Sequence, residues 1–198
     1  MTQIHKDQVM LAHRIRAKKK PIKSDMVTGV FPNDCKWFVG IDPGVSNGCM
    51  ARLCIEGGDI LDLKIIPLKL KNMSYGDVYD KVFTASYISY NAITSIEEVN
   101  LQGKASHSID KLMKHAGACL AALDNTRATY LTAVPSHWRS VIHLTVKGFT
   151  PAEKAVYLYE RAKLLTQNKW KFPKYASDAV LLALYSNSIW WKLRTVEE

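Results

Sequence analysis

Between residues 37 and 68 the chain alternates short apolar runs with tight polar breaks: WFVGI (37–41), CMARLCI (49–55) and ILDLKIIPL (60–68). Such runs, bounded by Gly, Pro and Asp, are strand signals. Only Glu56-Gly57-Gly58-Asp59 separates the second from the third, and connections this short join antiparallel neighbours. The stretch therefore predicts a three-stranded meander. Residues 75–89 suit a helix, and AITSIEEV (92–99) is a fourth strand. The clearest helical period runs over 106–123, where Ile109, Leu112, Met113, Ala116, Leu120 and Leu123 recur at three- and four-residue steps as one apolar stripe. ATYLTAVP (128–135) is a fifth strand stopped by Pro135. Pro151 opens a helix, PAEKAVYLYERAKLLT, at the first position that proline favours. YASDAVLLALYSNSIWWKL (175–193) is apolar on much of its surface and predicts a buried last helix.

This order predicts an α/β fold: a mixed five-stranded sheet, three antiparallel strands then two parallel ones, flanked by helices. A crossover from the first strand to the fourth through a helix makes those two parallel and adjacent. The C-terminal ends of both then lie at one sheet edge, with Asp42 and Glu97 side by side. No internal repeat interrupts the pattern.

Length and composition fit one domain with an appendage: 198 residues, 47% of them hydrophobic, enough for a proper core. No run approaches the roughly 18 apolar residues of a membrane span, and the first residues lack the apolar core of a secretory signal. Cys35, Cys49, Cys54 and Cys119 show no CxxC pairing, so free thiols in a reducing cytoplasm are the simplest reading. Charge changes the picture more. The net charge is +9, and residues 1–36 carry eight Lys/Arg against three acids, so five of the nine charges sit in front. Residues 1–35 read as a basic arm, with Lys18, Lys19 and Lys20 at its centre, and residues 36–198 as the folded domain. RAKKKPIK also looks like a nuclear import signal, but such runs are common in arms that bind DNA. A polyanionic partner is implied.

Asp42 ends its strand and is followed at once by Pro43 and Gly44. Asp-Pro-Gly is a good turn, and it is equally a carboxylate fixed at a sheet edge to bind a cation. Two carboxylates there repel unless a cation lies between them. A third, Asp178, begins the last helix, where Ser177 and Asp178 also suit an N-cap. Hard divalent ions such as Mg²⁺ prefer such oxygen ligands and serve phosphoryl transfer to water. Glu98 competes with Glu97, but adjacent strand residues point to opposite faces, so one of them faces the site.

From residue 37 to 191 the sequence resembles the RuvC-type Holliday junction resolvases of the ribonuclease H-like superfamily. The resemblance rests on IDPG with Gly48, on SIEEV followed by the 108–123 helix, on VPSHWRSVIHLTVKGFTPAEKAVY and on SDAVLLAL. It implies that Asp42, Glu97 and Asp178 are metal-binding catalytic carboxylates and that Lys154 is a lysine of the catalytic region. It further implies Mg²⁺ (with Mn²⁺ able to substitute), four-way junctions and other branched DNA as partners, and a homodimer. The setting it implies is the cytoplasm of a bacterial or phage-infected cell. Two departures stand out. Tyr175 holds the position where many members carry another acid, and Asn100 the position where some carry a stacking aromatic. NKWKFPKY alternates Lys169, Lys171 and Lys174 with Trp170, Phe172 and Tyr175, a pattern for phosphates and unstacked bases, or for aromatics packed beneath a loop. Lys104 and Lys147 complete the expected DNA contacts. His107, His115, His137 and His143 lack metal-ligand spacing. Small residues at Ala116, Gly117 and Ala118 allow a partner to pack closely. The nearest enzymatic rival, an actin-like ATPase, needs two related domains. The non-enzymatic rival is a junction-binding protein that has lost cleavage, and a further alternative is another ribonuclease H-like nuclease acting on recombination or packaging intermediates.

Overall fold

The structure, a computed structural model, describes residues 27–29, 35–69, 73–88, 91–99 and 106–194. A six-stranded sheet forms its centre. β1 (Val27–Thr28), β2 (Trp37–Asp42), β3 (Cys49–Glu56), β4 (Asp59–Pro67), β5 (Ile93–Glu97) and β6 (Thr129–Ala133) lie in the order β1-β6-β5-β2-β3-β4. β2, β3 and β4 form the antiparallel meander, while β2, β5 and β6 run parallel, so the five expected strands take their expected order and directions. The sixth strand is an addition. Val27 and Thr28, within the stretch read as arm, pair antiparallel with Leu131 and Tyr130 and cover an otherwise open sheet edge.

The helices are α1 (Tyr75–Ile88), α2 (Ser106–Asn125), α3 (Pro135–Val141), α4 (Pro151–Leu165) and α5 (Ser177–Arg194), with a 3₁₀ turn at Lys174–Ala176 before α5. The sequence pattern gave no sign of α3, because Pro135 reads as a strand stop and also begins a helix at its first position. α1 and α2 cover one sheet face, packing Val78, Val82, Cys119 and Leu123 on Val39, Ile41, Met50 and Ile96. α5 covers the other, packing Leu182, Ala183 and Ile189 on Phe38, Ala51 and Ile93. In α2 the buried stripe runs through Leu112, Ala116, Cys119 and Leu123, with His115 buried beside it. Met113 instead stands 50% exposed. Among the described residues, no helix is long and apolar enough to cross a membrane.

Alternation along β2 sends Phe38, Gly40 and Asp42 toward α5, and Val39 and Ile41 toward α1 and α2. Gly40 is what lets α5 lie so close. A Cβ there would sit 2.5 Å from the Ala183 backbone nitrogen and 2.7 Å from Leu182 Cβ. A buried hydroxyl pair reinforces the contact: Ser95 and Ser186 lie 2.6 Å apart, and Ser186 also donates to the Val39 carbonyl at 3.0 Å. The start of α5 is thereby held against the ends of β2 and β5.

Candidate active site

Three separate elements deliver the three carboxylates to one place. The parallel register sets Ile41 opposite Ile96, so Asp42 and Glu97 follow as neighbours at the strand ends. Glu97 is turned inward and Glu98 is exposed, as strand alternation requires. Asp178 enters in the first turn of α5. It is not an N-cap in any ordinary sense: the Ser177 hydroxyl donates back to the Lys174 carbonyl at 2.6 Å, and Asp178 Oδ2 faces an arginine.

That arginine, Arg139 on α3, is the residue sequence reasoning missed. Its Nη2 donates to Glu97 Oε1 at 3.3 Å and lies 3.6 Å from Asp178 Oδ2, and its guanidinium carbon sits 4.6 Å from the centre of the Trp138 ring. A signal existed. The helix that follows β6 starts at the sheet edge where the acids end, so a cation within its first two turns can reach them.

Lys154 joins from α4. The capping box between Thr150 and Glu153, with Glu153 N donating to Thr150 Oγ1 at 3.3 Å and Thr150 N donating to Glu153 Oε2 at 2.8 Å, fixes where α4 begins. A lysine in a first turn opposes the helix dipole. Here it is compensated, since its charge lowers the pKa of all three carboxyls.

Even so, all three are raised. For Glu97, burial is the largest cause and the Asp178 charge the next, and together they outweigh Arg139 and Lys154 to push the carboxyl up to about 7. Asp42 is raised well above the ordinary carboxylate range by burial, then by Glu97 and Asp178. Asp178 is raised by burial, against Arg139 and Lys154. Glu97 Oε2 and Asp178 Oδ1 are buried with no hydrogen-bond partner.

These orphaned oxygens and the all-carboxylate donor set suit a hard divalent ion. As the side chains stand, with Arg139 between two of them, no three His, Cys, Asp or Glu among the described residues are grouped so as to hold a metal. At the position where the resemblance expects another acid, Tyr175 lies beneath Lys69, whose Nζ is 3.6 Å from the ring centre. A cation–π contact stands there.

The residues expected to contact DNA differ in exposure. Lys147, Lys169, Lys171 and Lys174 are exposed. Trp170 and Tyr175 pack against the core, and Phe172 is buried 5.7 Å from the Tyr159 ring centre. The alternation in NKWKFPKY thus sets the lysines outward and the aromatics against the core, with Trp170 half-buried. Lys18, Lys19, Lys20 and Lys104 lie outside the described residues. His115 is a core histidine, its Nε2 2.6 Å from the Leu68 carbonyl oxygen.

No family model matches the chain, and no curated protein matches it. Solved structures do. A Thermus thermophilus RuvC in complex with a Holliday junction substrate superposes with a TM-score of 0.58 at 15% identity, covering 77% of this chain and 93% of that one. A second Thermus thermophilus RuvC structure gives 0.58 at 16% identity, covering 81% and 96%. The chain thus has the RuvC form of the ribonuclease H-like fold.

Proposed function

We propose that the protein is a metal-dependent, structure-specific endonuclease that resolves Holliday junctions and related branched DNA by paired phosphodiester hydrolysis. One observation carries the reading. Asp42, Glu97 and Asp178 converge from three elements at the C-terminal edge of the parallel strands, all raised in pKa by burial, and Asp42 and Glu97 further by their neighbouring carboxylates, with two carboxylate oxygens unpartnered. So costly a cluster is retained where its charge is used. Asp42, Glu97 and Asp178 would hold Mg²⁺, or Mn²⁺ in its place. The bound ion would supply an activated water and neutralise charge on the scissile phosphate. Lys154, half-buried at the rim of the cluster, then offers its ammonium to the phosphate oxygens as negative charge develops. Lys147, Lys169, Lys171 and Lys174 present exposed charge to the sugar-phosphate backbone. The basic arm, with Lys18, Lys19 and Lys20, adds affinity without choosing the substrate.

A four-way junction has two-fold symmetry, so paired nicks call for two sites related by a matching axis, and a homodimer follows. Met113 and Gly117, both exposed one turn apart on α2, offer a partner an apolar and closely approachable face. The setting proposed is the cytoplasm of a bacterial or phage-infected cell. Lys69 over Tyr175 supports a second reading, a weak or inactive branched-DNA-binding protein of the same fold, because a cation already stands where a further acid would hold a second metal.

The test is nicking of a synthetic mobile four-way junction with and without Mg²⁺, beside a gel shift in Ca²⁺. Wild type is expected to nick only with Mg²⁺. Asp42→Asn should lose cleavage and keep binding, since binding rests on lysines and arginines. Near wild-type nicking by Asp42→Asn would reduce that aspartate to a turn residue and end the nuclease reading. Binding without nicking by wild type would favour the second.

A further inference from the structure

Arg139 is the one lysine or arginine among the described residues that is buried, at 7% exposure. A guanidinium so deep normally locks to a carboxylate through two parallel bonds of roughly 2.7–2.9 Å. Arg139 does not. A single nitrogen, Nη2, is shared between Glu97 Oε1 at 3.3 Å and Asp178 Oδ2 at 3.6 Å, while Nε has no acceptor and Glu97 Oε2 and Asp178 Oδ1 have no donor. Three hydrogen-bonding groups in direct neighbourhood are thus left unused. The contact supplies positive charge more than it supplies geometry, and a charge held this way is exchangeable.

The guanidinium also has somewhere to go. Arg139 also lines a groove of about 640 Å³ together with Ser136, Ser140, His143 and Lys147. Hydroxyls, an imidazole and a lysine there suit a phosphate-bearing strand.

We propose that Arg139 is a placeholder cation: it occupies the gap between Glu97 and Asp178 until a divalent ion enters, and then turns into the groove beside α3 to meet the backbone of the bound strand. The inference rests on the three acids being a divalent-cation site, as the nuclease reading holds. It adds that metal entry and strand contact are exchanged for one another at a single side chain. Lys154, on the half-buried rim, keeps its place throughout.

The test uses the full chain without DNA. Mn²⁺ binding is measured by calorimetry for wild type, Arg139→Gln and Arg139→Lys. Removing the charge should tighten Mn²⁺ binding at least tenfold, modest beside the repulsion of like charges at a few ångströms, while Arg139→Lys should stay near wild type. In the wild-type protein, Mg²⁺ titration should shift the Arg139 guanidinium resonances, assigned by their loss in Arg139→Lys, with the same midpoint as Mg²⁺ binding measured by calorimetry. This second measurement stands even if Arg139→Gln fails to fold. Binding by Arg139→Gln no tighter than wild type, or guanidinium signals unmoved at saturating Mg²⁺, would overturn the proposal. Wild type that nicks junctions but lacks the Arg139 response overturns the placeholder alone, and wild type that shows the response but never nicks overturns the nuclease reading alone.

Discussion

Glu97→Gln in metal-free buffer isolates the charge cluster from any catalytic readout. In the folded protein the Glu97 carboxyl sits at about 7 against an ordinary 4.5, with the attraction of Arg139 and Lys154 already included. The folded state therefore binds this proton more tightly than the unfolded chain does. Glu97's contribution to stability is fully present below pH 4.5 and is lost as pH rises through 7. Ionising it in place costs about 3 kcal/mol. The amide of glutamine carries no such charge and still offers Arg139 an acceptor oxygen. At pH 5 the folded protein keeps this proton and only the first part of the contribution is lost, so the two proteins should melt within about 1 kcal/mol of each other. At pH 8 the variant should be more stable by about 3 kcal/mol, which for a domain of this size is roughly 6–12 °C in Tm. Thermal melts in EDTA at pH 5, 6, 7 and 8 read this directly. A variant less stable than wild type at pH 8, or a difference that does not change with pH, would mean that Arg139 and Lys154 outweigh burial and repulsion, and the reasoning fails.

Gly40→Ala should destabilise the fold by at least about 2 kcal/mol, since the new methyl meets the backbone of α5 and no rotamer relieves it; an unchanged urea midpoint would show that α5 is not seated as described. The same change should lower nicking beyond its effect on stability, by moving Asp178 away from Asp42. Lys154→Ala should cut the nicking rate severalfold or more with little change in Tm, and an unchanged rate would make it an ordinary helix lysine. Removing residues 1–26, which leaves β1 in place, should weaken junction binding and flatten its salt dependence while keeping the preference over duplex; loss of that preference in gel shifts would assign structure reading to the arm.

Much of the scaffold is legible in the residues alone, because strands and helices announce themselves by period. The meander, the order of the five main strands and the helices at Tyr75–Ile88, Ser106–Asn125, Pro151–Leu165 and Ser177–Arg194 follow from local pattern. So does the adjacency of Asp42 and Glu97, since a helical crossover leaves parallel strands few other arrangements. Glu97 over Glu98 follows from strand alternation.

What the pattern leaves open is whatever depends on contacts distant in sequence. Val27–Thr28 is too short to carry a period and exists because β6 offers an edge. Met113 shares its spacing with the buried stripe, yet α1 covers the other side of α2, and only packing decides which side that is. In NKWKFPKY the cations and aromatics alternate whether they serve DNA or the core, and the position of α4 over the segment turns the rings inward. Arg139 is the sharpest case. Its neighbours in sequence say nothing about Glu97, 42 residues away, or Asp178, and its pairing arises because β6 delivers α3 to the edge where β5 ends and α5 begins. Sequence set the kinds of charge at this edge through the residues it placed at strand ends. How those charges are shared, and which oxygens go without a partner, was settled by three-dimensional packing, because electrostatic interactions act through space and take no account of chain order.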